Sequence, residues 1–146
     1  TVIGFFEHTI QQNLLLATFI PLIVYMSSAV GMQMEACIIR DLALDHHLRF
    51  GKYLLRQFLI TGLIAATVSA VMYVAMLVMH GDPNLGLIMG ISMGVAIMSS
   101  VVTGLLTPYL FSRMKLDPAD VSGPLATIAQ DLISVTIYFS VATWLL

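Results

Sequence analysis

The chain has 146 residues, of which 59% are hydrophobic and only 10% are charged, and its formal net charge is −2. A soluble domain carries roughly 25% charged residues, so this composition excludes an ordinary soluble enzyme and a disordered chain. The sequence has no basic cluster, which excludes a nucleic-acid binder, and its single cysteine excludes a disulfide framework. The composition is that of an integral membrane protein. No histidine lies in the apolar stretches, and we expect no enzyme.

Four long apolar stretches follow one another along the chain. A helix needs about 20 residues to cross a bilayer, and each stretch exceeds that length: they cover about residues 14–35, 54–79, 84–112 and 118–146. The strands of a membrane barrel would instead alternate over ~10-residue segments. The sequence therefore predicts an all-α integral membrane protein, a polytopic helical bundle with one transmembrane domain over residues 1–146. Residues 1–13 are expected to form an outer linker.

The basic residues are confined to two loops. Loop 36–56 and loop 113–117 hold all six Lys and Arg residues, whereas the loop between the second and third spans has only His80 and Asp82 as ionisable groups. The positive-inside rule places such basic loops in the cytoplasm. We therefore expect a multi-pass protein of the cell (inner) membrane with both basic loops cytoplasmic and both chain ends outside. An outer N-terminus also favours a further helix upstream.

Short motifs mark the span boundaries and one helix contact. Residues 117–120 combine an N-cap aspartate, a proline at the first helical position and a carboxylate at the third, which predicts a helix start. Residues 81–84 predict a tight outer turn. Gly86, Gly90 and Gly94 lie four residues apart, a spacing that lets another helix backbone approach closely in a membrane.

Asp131 is the most informative residue, because it lies near the middle of the fourth span. An aspartate there costs roughly 2.5–3.5 kcal/mol on insertion scales, and no Lys or Arg lies in the interior of a span to pair with it, since Arg56 is at the edge of the second. Helical spacing gives it a polar stripe that also includes Pro124, Thr127, Ser134 and Tyr138. Asp131 is either a carboxylate on an ion pathway or a protonated structural residue.

The first span contains a second anomaly. Pro21 interrupts it, and residues 25–33 are rich in small side chains. Such a stretch tolerates irregular backbone where it lines a cavity, and its exposed carbonyls would serve as cation ligands. Glu35 and Asp41 at the end of the span either are solvated at the interface beside Arg40 or form an acidic ring that attracts cations.

Residues 115–124, which read KLDPADVSGP, resemble together with Thr127 and Asp131 the last membrane helix of the MgtE magnesium channel family. Further stretches resemble the end of the family's first helix and its second helix with the following exit: residues 2–7, 21–23 and 40–44. The resemblance covers nearly the whole chain. It implies a homodimer with five membrane helices per subunit, of which this chain holds helices two to five. It also implies a pore on the dimer axis, lined by the second and fifth helices.

The resemblance also implies site residues. The family's pore aspartate falls on Asp131, and Thr127 and Gly123 lie along the same ion path. The family pattern Gly-Gly-Asn-Ala-Gly reads SSAVG at residues 27–31, so Ala29 replaces an asparagine and bears on ion selectivity. The complete set of residues that we expect to contact the ion is Gly123, Thr127, Asp131, Ser134, Ser28, Gly31 and Gln33.

The sequence thus favours a divalent-cation channel or transporter that conducts hydrated ions past a mid-membrane aspartate in a dimeric pore. The transported ion is expected to be Mg²⁺, with Mn²⁺ or another divalent cation as the alternative, and no cofactor is expected. The expected partners are the lipid bilayer, a second copy of the chain and the cation. Two other functions stay open: a proton-coupled cation transporter that uses Asp131, and a non-transporting membrane assembly subunit that uses the glycine face.

Overall fold

The computed structural model describes residues 14–44, 49–115 and 118–145, and within them the chain forms four helices. Helix α1 is Leu14–Leu44, α2 is Phe50–His80, α3 is Pro83–Arg113 and α4 is Pro118–Leu145. All four are long and apolar enough to cross a membrane. The prediction of an all-helical bundle with four spans is confirmed, whereas the predicted outer linker lies outside the described residues.

Helix α3 is the centre of the bundle. It contacts each of the other three helices, α4 also contacts α1, and α2 packs mainly on α3. Helix α3 accordingly contributes more buried apolar side chains than any other helix, and they include Met89, Met93, Ile97 and Val101. Helix α2 instead exposes a long row of Leu, Ile and Val side chains, which suits contact with lipid.

The turn between α2 and α3 forms as its motif predicts. Gly81 ends α2 in the left-handed conformation at φ 68°, where a glycine has no steric penalty. Asp82 then caps α3, because its carboxylate accepts hydrogen bonds from the backbone N–H groups of Asn84 and Leu85. Helix α4 begins at Pro118, as expected for a proline at the first helical position.

The helices extend further than the predicted spans on the basic side. The predicted loop 36–56 is helical up to Leu44 and again from Phe50 onward. The sequence placed a boundary near the first charged residue, but long Arg and Lys side chains can remain on a helix while their charges reach water. A 31-residue helix is about 46 Å long, so α1 has ample length beyond a hydrocarbon core of about 30 Å.

The expected irregular backbone in α1 is wrong, since the helix runs without a break through Pro21 and residues 25–33. The small side chains serve close packing instead. Gly31 is buried against α3, and a Cβ added to Gly104 would lie 2.5 Å from the carbonyl oxygen of Gly31. The carbonyl groups of a continuous helix are engaged within it, so this stretch does not present a row of free cation ligands.

The three-glycine face of α3 packs against α2 within the same chain. A Cβ at Gly90 would lie 3.1 Å from the backbone oxygen of Ser69, and one at Gly86 would lie 3.2 Å from that of Tyr73. The spacing therefore produces the close helix approach that the sequence predicts. Within the chain, the partner of this face is α2.

Candidate functional site

Asp131 lies near the midpoint of the 28-residue helix α4, at the seam where α4 packs against α1. The Ser28 hydroxyl donates a hydrogen bond of 2.5 Å to Asp131 Oδ1. Ser28 is buried and Asp131 is half-buried, so the carboxylate is held on one side and open on the other. The described partner of this carboxylate is thus a hydroxyl group rather than a basic side chain.

A buried amide beside Asp131 ties α4 to α3. Gln130 is 2% exposed, and its Oε1 accepts a hydrogen bond of 2.5 Å from the Thr103 hydroxyl. Its Nε2 lies 3.2 Å from the oxygens of both Ala96 and Ser99 on α3. These contacts fix the rotation of α4 about its axis. Because Asp131 is the next residue, they also fix the direction in which its side chain points.

Ser134 extends this network to α1. Its hydroxyl is fully buried and lies 2.6 Å from the Ser27 hydroxyl and 3.0 Å from Gln130 Nε2. Ser134 therefore points into the protomer rather than along an open path. Tyr138 is also fully buried and donates to the Leu16 carbonyl oxygen. The predicted polar stripe on α4 thus turns into the bundle interior in its second half.

A small cleft continues from Ser28 toward the end of the bundle that holds the basic residues. Its volume is about 10 Å³, roughly the space of one water molecule. The cleft is lined by side chains and backbone of α1, α3 and α4, namely Ser28, Gly31, Met32, Glu35, Thr103, Gly104, Ala126, Thr127 and Gln130. The Thr127 hydroxyl donates to the Gly123 carbonyl oxygen on its own helix at 2.9 Å.

Most of the predicted site residues therefore meet along the α1–α4 seam. Ser28 and Asp131 are in direct contact, whereas Gly31 and Thr127 line the cleft beyond them. Ser134 belongs to the buried network next to them. Gln33 is the exception, because it is exposed and does not line the cleft.

Two residues of this region were missed or misjudged in the sequence. Gln130 was overlooked, although an amide inside an apolar span is a usable signal for an interhelical hydrogen bond. Glu35 is 7% exposed and lines the cleft, so it is not solvated at the interface beside Arg40. Arg40 instead forms an ion pair of 2.9 Å with Asp41.

The donor set suits contact with a hydrated cation rather than a closed cage. Among the described residues, no group of three or more His, Cys, Asp or Glu side chains could hold a metal ion. The seam offers carboxylate, hydroxyl and amide oxygens, the ligand type that Mg²⁺ prefers. Mg²⁺ gives up its waters reluctantly, so such a seam would touch the ion through its hydration shell.

Comparison with known proteins adds an independent finding. The family model MgtE, described as a divalent cation transporter, matches residues 20–141. The chain is 35% identical over 147 aligned residues to a magnesium transporter MgtE of Enterococcus faecalis and 29% identical over 145 residues to one of Bacillus subtilis. A magnesium transporter MgtE of Thermus thermophilus is 30% identical over 142 residues. The alignments cover 97–98% of this chain but 32% of each relative.

Proposed function

Because this chain belongs to the MgtE family of divalent cation transporters, we propose that it carries Mg²⁺ across a membrane along the α1–α4 seam. The single observation that carries the proposal is the position of Asp131. It lies at mid-helix in a chain of membrane-spanning length, is held by Ser28 and is only half-buried. An intramembrane carboxylate without a basic partner is costly, and a passing cation would supply the counter-charge that stabilises it.

The pore is proposed to form between two copies of the chain. The open side of Asp131 leaves room for a second copy, and two such carboxylates near a symmetry axis repel each other. A divalent cation between them relieves this repulsion. A ring of aspartates is a known device for cation selectivity, and contact through water keeps binding weak enough for release.

The proposed orientation rests on the positions of the basic residues along the helices. All six Lys and Arg residues lie at one end of the bundle, near the junctions of α1 with α2 and of α3 with α4. We place this end in the cytoplasm by the positive-inside rule. The sequence at residues 27–33 differs from the family pattern at Ala29, which is exposed on α1. Because of this difference, the preference for Mg²⁺ over Mn²⁺ has to be measured on this chain itself.

Of the alternatives, the non-transporting assembly subunit would assemble through the glycine face of α3. The glycine face that suggested it is packed against α2 in the same chain. The proton-coupled transporter uses the same Asp131–Ser28 pair and differs in what drives the flux. A transport rate that depends on a pH gradient and gives no Mg²⁺ current under voltage would favour it.

The test uses purified protein in liposomes loaded with a Mg²⁺-sensitive dye. We expect Asp131→Asn to lower Mg²⁺ uptake at least tenfold, because the substitution removes the charge that attracts the ion while it preserves the side-chain shape. Asp41→Asn is the matched control, since it makes the same change at a carboxylate that Arg40 already pairs. Uptake by Asp131→Asn at the wild-type rate would remove Asp131 from the proposed path.

A further inference from the structure

A second carboxylate lies on the same seam as Asp131, toward the basic end of the bundle. Glu35 is seven residues beyond Ser28 on α1 and is 7% exposed. Seven residues correspond to about two helical turns, or ~10 Å along the axis, so Ser28 and Glu35 share one face of α1. That face is the one on which Ser28 contacts Asp131.

Helix α4 presents a matching position to Glu35. Gly123 precedes Asp131 by eight residues, or ~12 Å along the helix, and α4 runs antiparallel to α1. A Cβ on Gly123 would lie 3.8 Å from Glu35 Oε1. The Glu35 carboxylate therefore faces α4 at the level of Gly123, as Ser28 faces it at the level of Asp131.

The small cleft described above extends from Ser28 to Glu35. Ser28 and Glu35 both line it, and Thr127 and Gln130 add further oxygen atoms between them. Thr127 lies four residues after Gly123 and four before Asp131, so it marks the midpoint of the same stretch of α4. Ser28, Thr127, Gln130 and Glu35 therefore place oxygen atoms along one stretch of the seam, among the Gly, Ala and Met residues that also line the cleft.

We propose that Glu35 forms a second binding site for a divalent cation, in series with the site at Asp131. The inference rests on the proposed function, because it extends the same ion path. Hard divalent cations take carboxylate and hydroxyl oxygens as ligands. Conduction through several sites allows an arriving ion to displace the one ahead of it. A carboxylate at this end also offsets the repulsion that the neighbouring basic residues exert on a cation.

Binding is tested with Mn²⁺ as the probe, since the free ion is counted by electron paramagnetic resonance. The purified wild-type protein in detergent should show two classes of Mn²⁺ site. Glu35→Gln should lose one class, Asp131→Asn the other, and Asp41→Asn neither. A Glu35→Gln titration that superimposes on the wild-type curve overturns the proposal, and so does a single class of site in the wild type.

Flux in liposomes separates this inference from the proposed function. Glu35→Gln should raise the half-saturating Mg²⁺ concentration about tenfold and leave the maximal flux within threefold of wild type. An unchanged half-saturating concentration, together with loss of flux in Asp131→Asn, overturns the second site alone. Wild-type flux in Asp131→Asn overturns the proposed function instead.

A charge-preserving variant covers the case in which Glu35→Gln fails to fold, as judged by circular dichroism. Glu35→Asp keeps the carboxylate on a shorter side chain. It should retain both classes of Mn²⁺ site and shift the half-saturating Mg²⁺ concentration less than threefold. If no neutral substitution of Glu35 removes a class of Mn²⁺ site, the charge of Glu35 has no role. The same conclusion follows if Glu35→Asp shifts the half-saturating Mg²⁺ concentration as much as a neutral substitution does.

Discussion

The hydrogen bonds of Gln130 are expected to determine how firmly α4 is held against α3. The perturbation is Gln130→Leu, which keeps the approximate size of a side chain that is 2% exposed. The substitution removes the bond from Thr103 and the contacts of Nε2 with the oxygens of Ala96 and Ser99. These contacts cross from α4 to α3, whereas the contact of Nε2 with Ser134, which is also lost, lies within α4.

The magnitude follows from the number of bonds and from what their partners do afterwards. An amide nitrogen has two N–H groups, so Gln130 makes two or three bonds to α3 at one time, each worth about 0.6 kcal/mol in a membrane protein. The hydroxyls of Ser99 and Thr103 keep backbone acceptors on their own helix. Because no hydroxyl is left without an acceptor, the loss should be about 1–2 kcal/mol rather than the larger cost of orphaned groups.

The assay is equilibrium unfolding in mixed detergent micelles, followed by circular dichroism. Thr136→Val is the matched control, because Thr136 is exposed on the same helix and bonds only to the Leu132 carbonyl oxygen one turn away. The control should stay within about 0.5 kcal/mol of the wild type. If Gln130→Leu also stays within that range, the amide does not hold α4 and the reasoning about the network is refuted.

Two further substitutions test the packing and the turn by the same unfolding measurement. Gly104→Ala should lower the free energy of unfolding by about 1–3 kcal/mol, as expected for overpacking, because its methyl group would lie 2.5 Å from the Gly31 carbonyl oxygen. The control Gly62→Ala, whose nearest neighbour is a sulfur at 4.0 Å, should not lower it. Equal losses in the two variants would contradict the contact between Gly104 and Gly31. Asp82→Ala should lower the free energy of unfolding by about 1 kcal/mol, because it removes the cap of α3, whereas Asp82→Ser should retain most of it. A serine variant as unstable as the alanine variant would rule out capping as the cause.

The features that the sequence predicted well are local ones. Four apolar stretches of sufficient length indicate four helices whatever their packing, because the bilayer sets the required length. The turn at Gly81 and Asp82 was equally readable, since a left-handed glycine and a side-chain cap act within a few residues. Asp131 stood out for a similar reason, because its cost in an apolar span does not depend on its neighbours.

The small residues of α1 show where such reasoning stops. The same composition permits either an irregular backbone or close contact with another helix, and only the packing of Gly31 against Gly104 distinguishes the two. The glycines of α3 had two readings as well, a contact within the chain or one between subunits. Their true neighbours, Ser69 and Tyr73, follow from the arrangement of the helices rather than from the spacing.

The sequence by itself therefore determined the membrane class, the number of helices, the basic end of the bundle and the mid-helix aspartate. Only the tertiary structure decided that Ser28, separated from Asp131 by 103 positions, supplies its hydrogen bond, and that Glu35 lines the cleft at the α1–α4 seam. The physical reason is that hydropathy and capping act over one or two turns of a single helix. The partner of a polar side chain depends instead on how each helix is rotated against its neighbours, and many side-chain contacts set that rotation together.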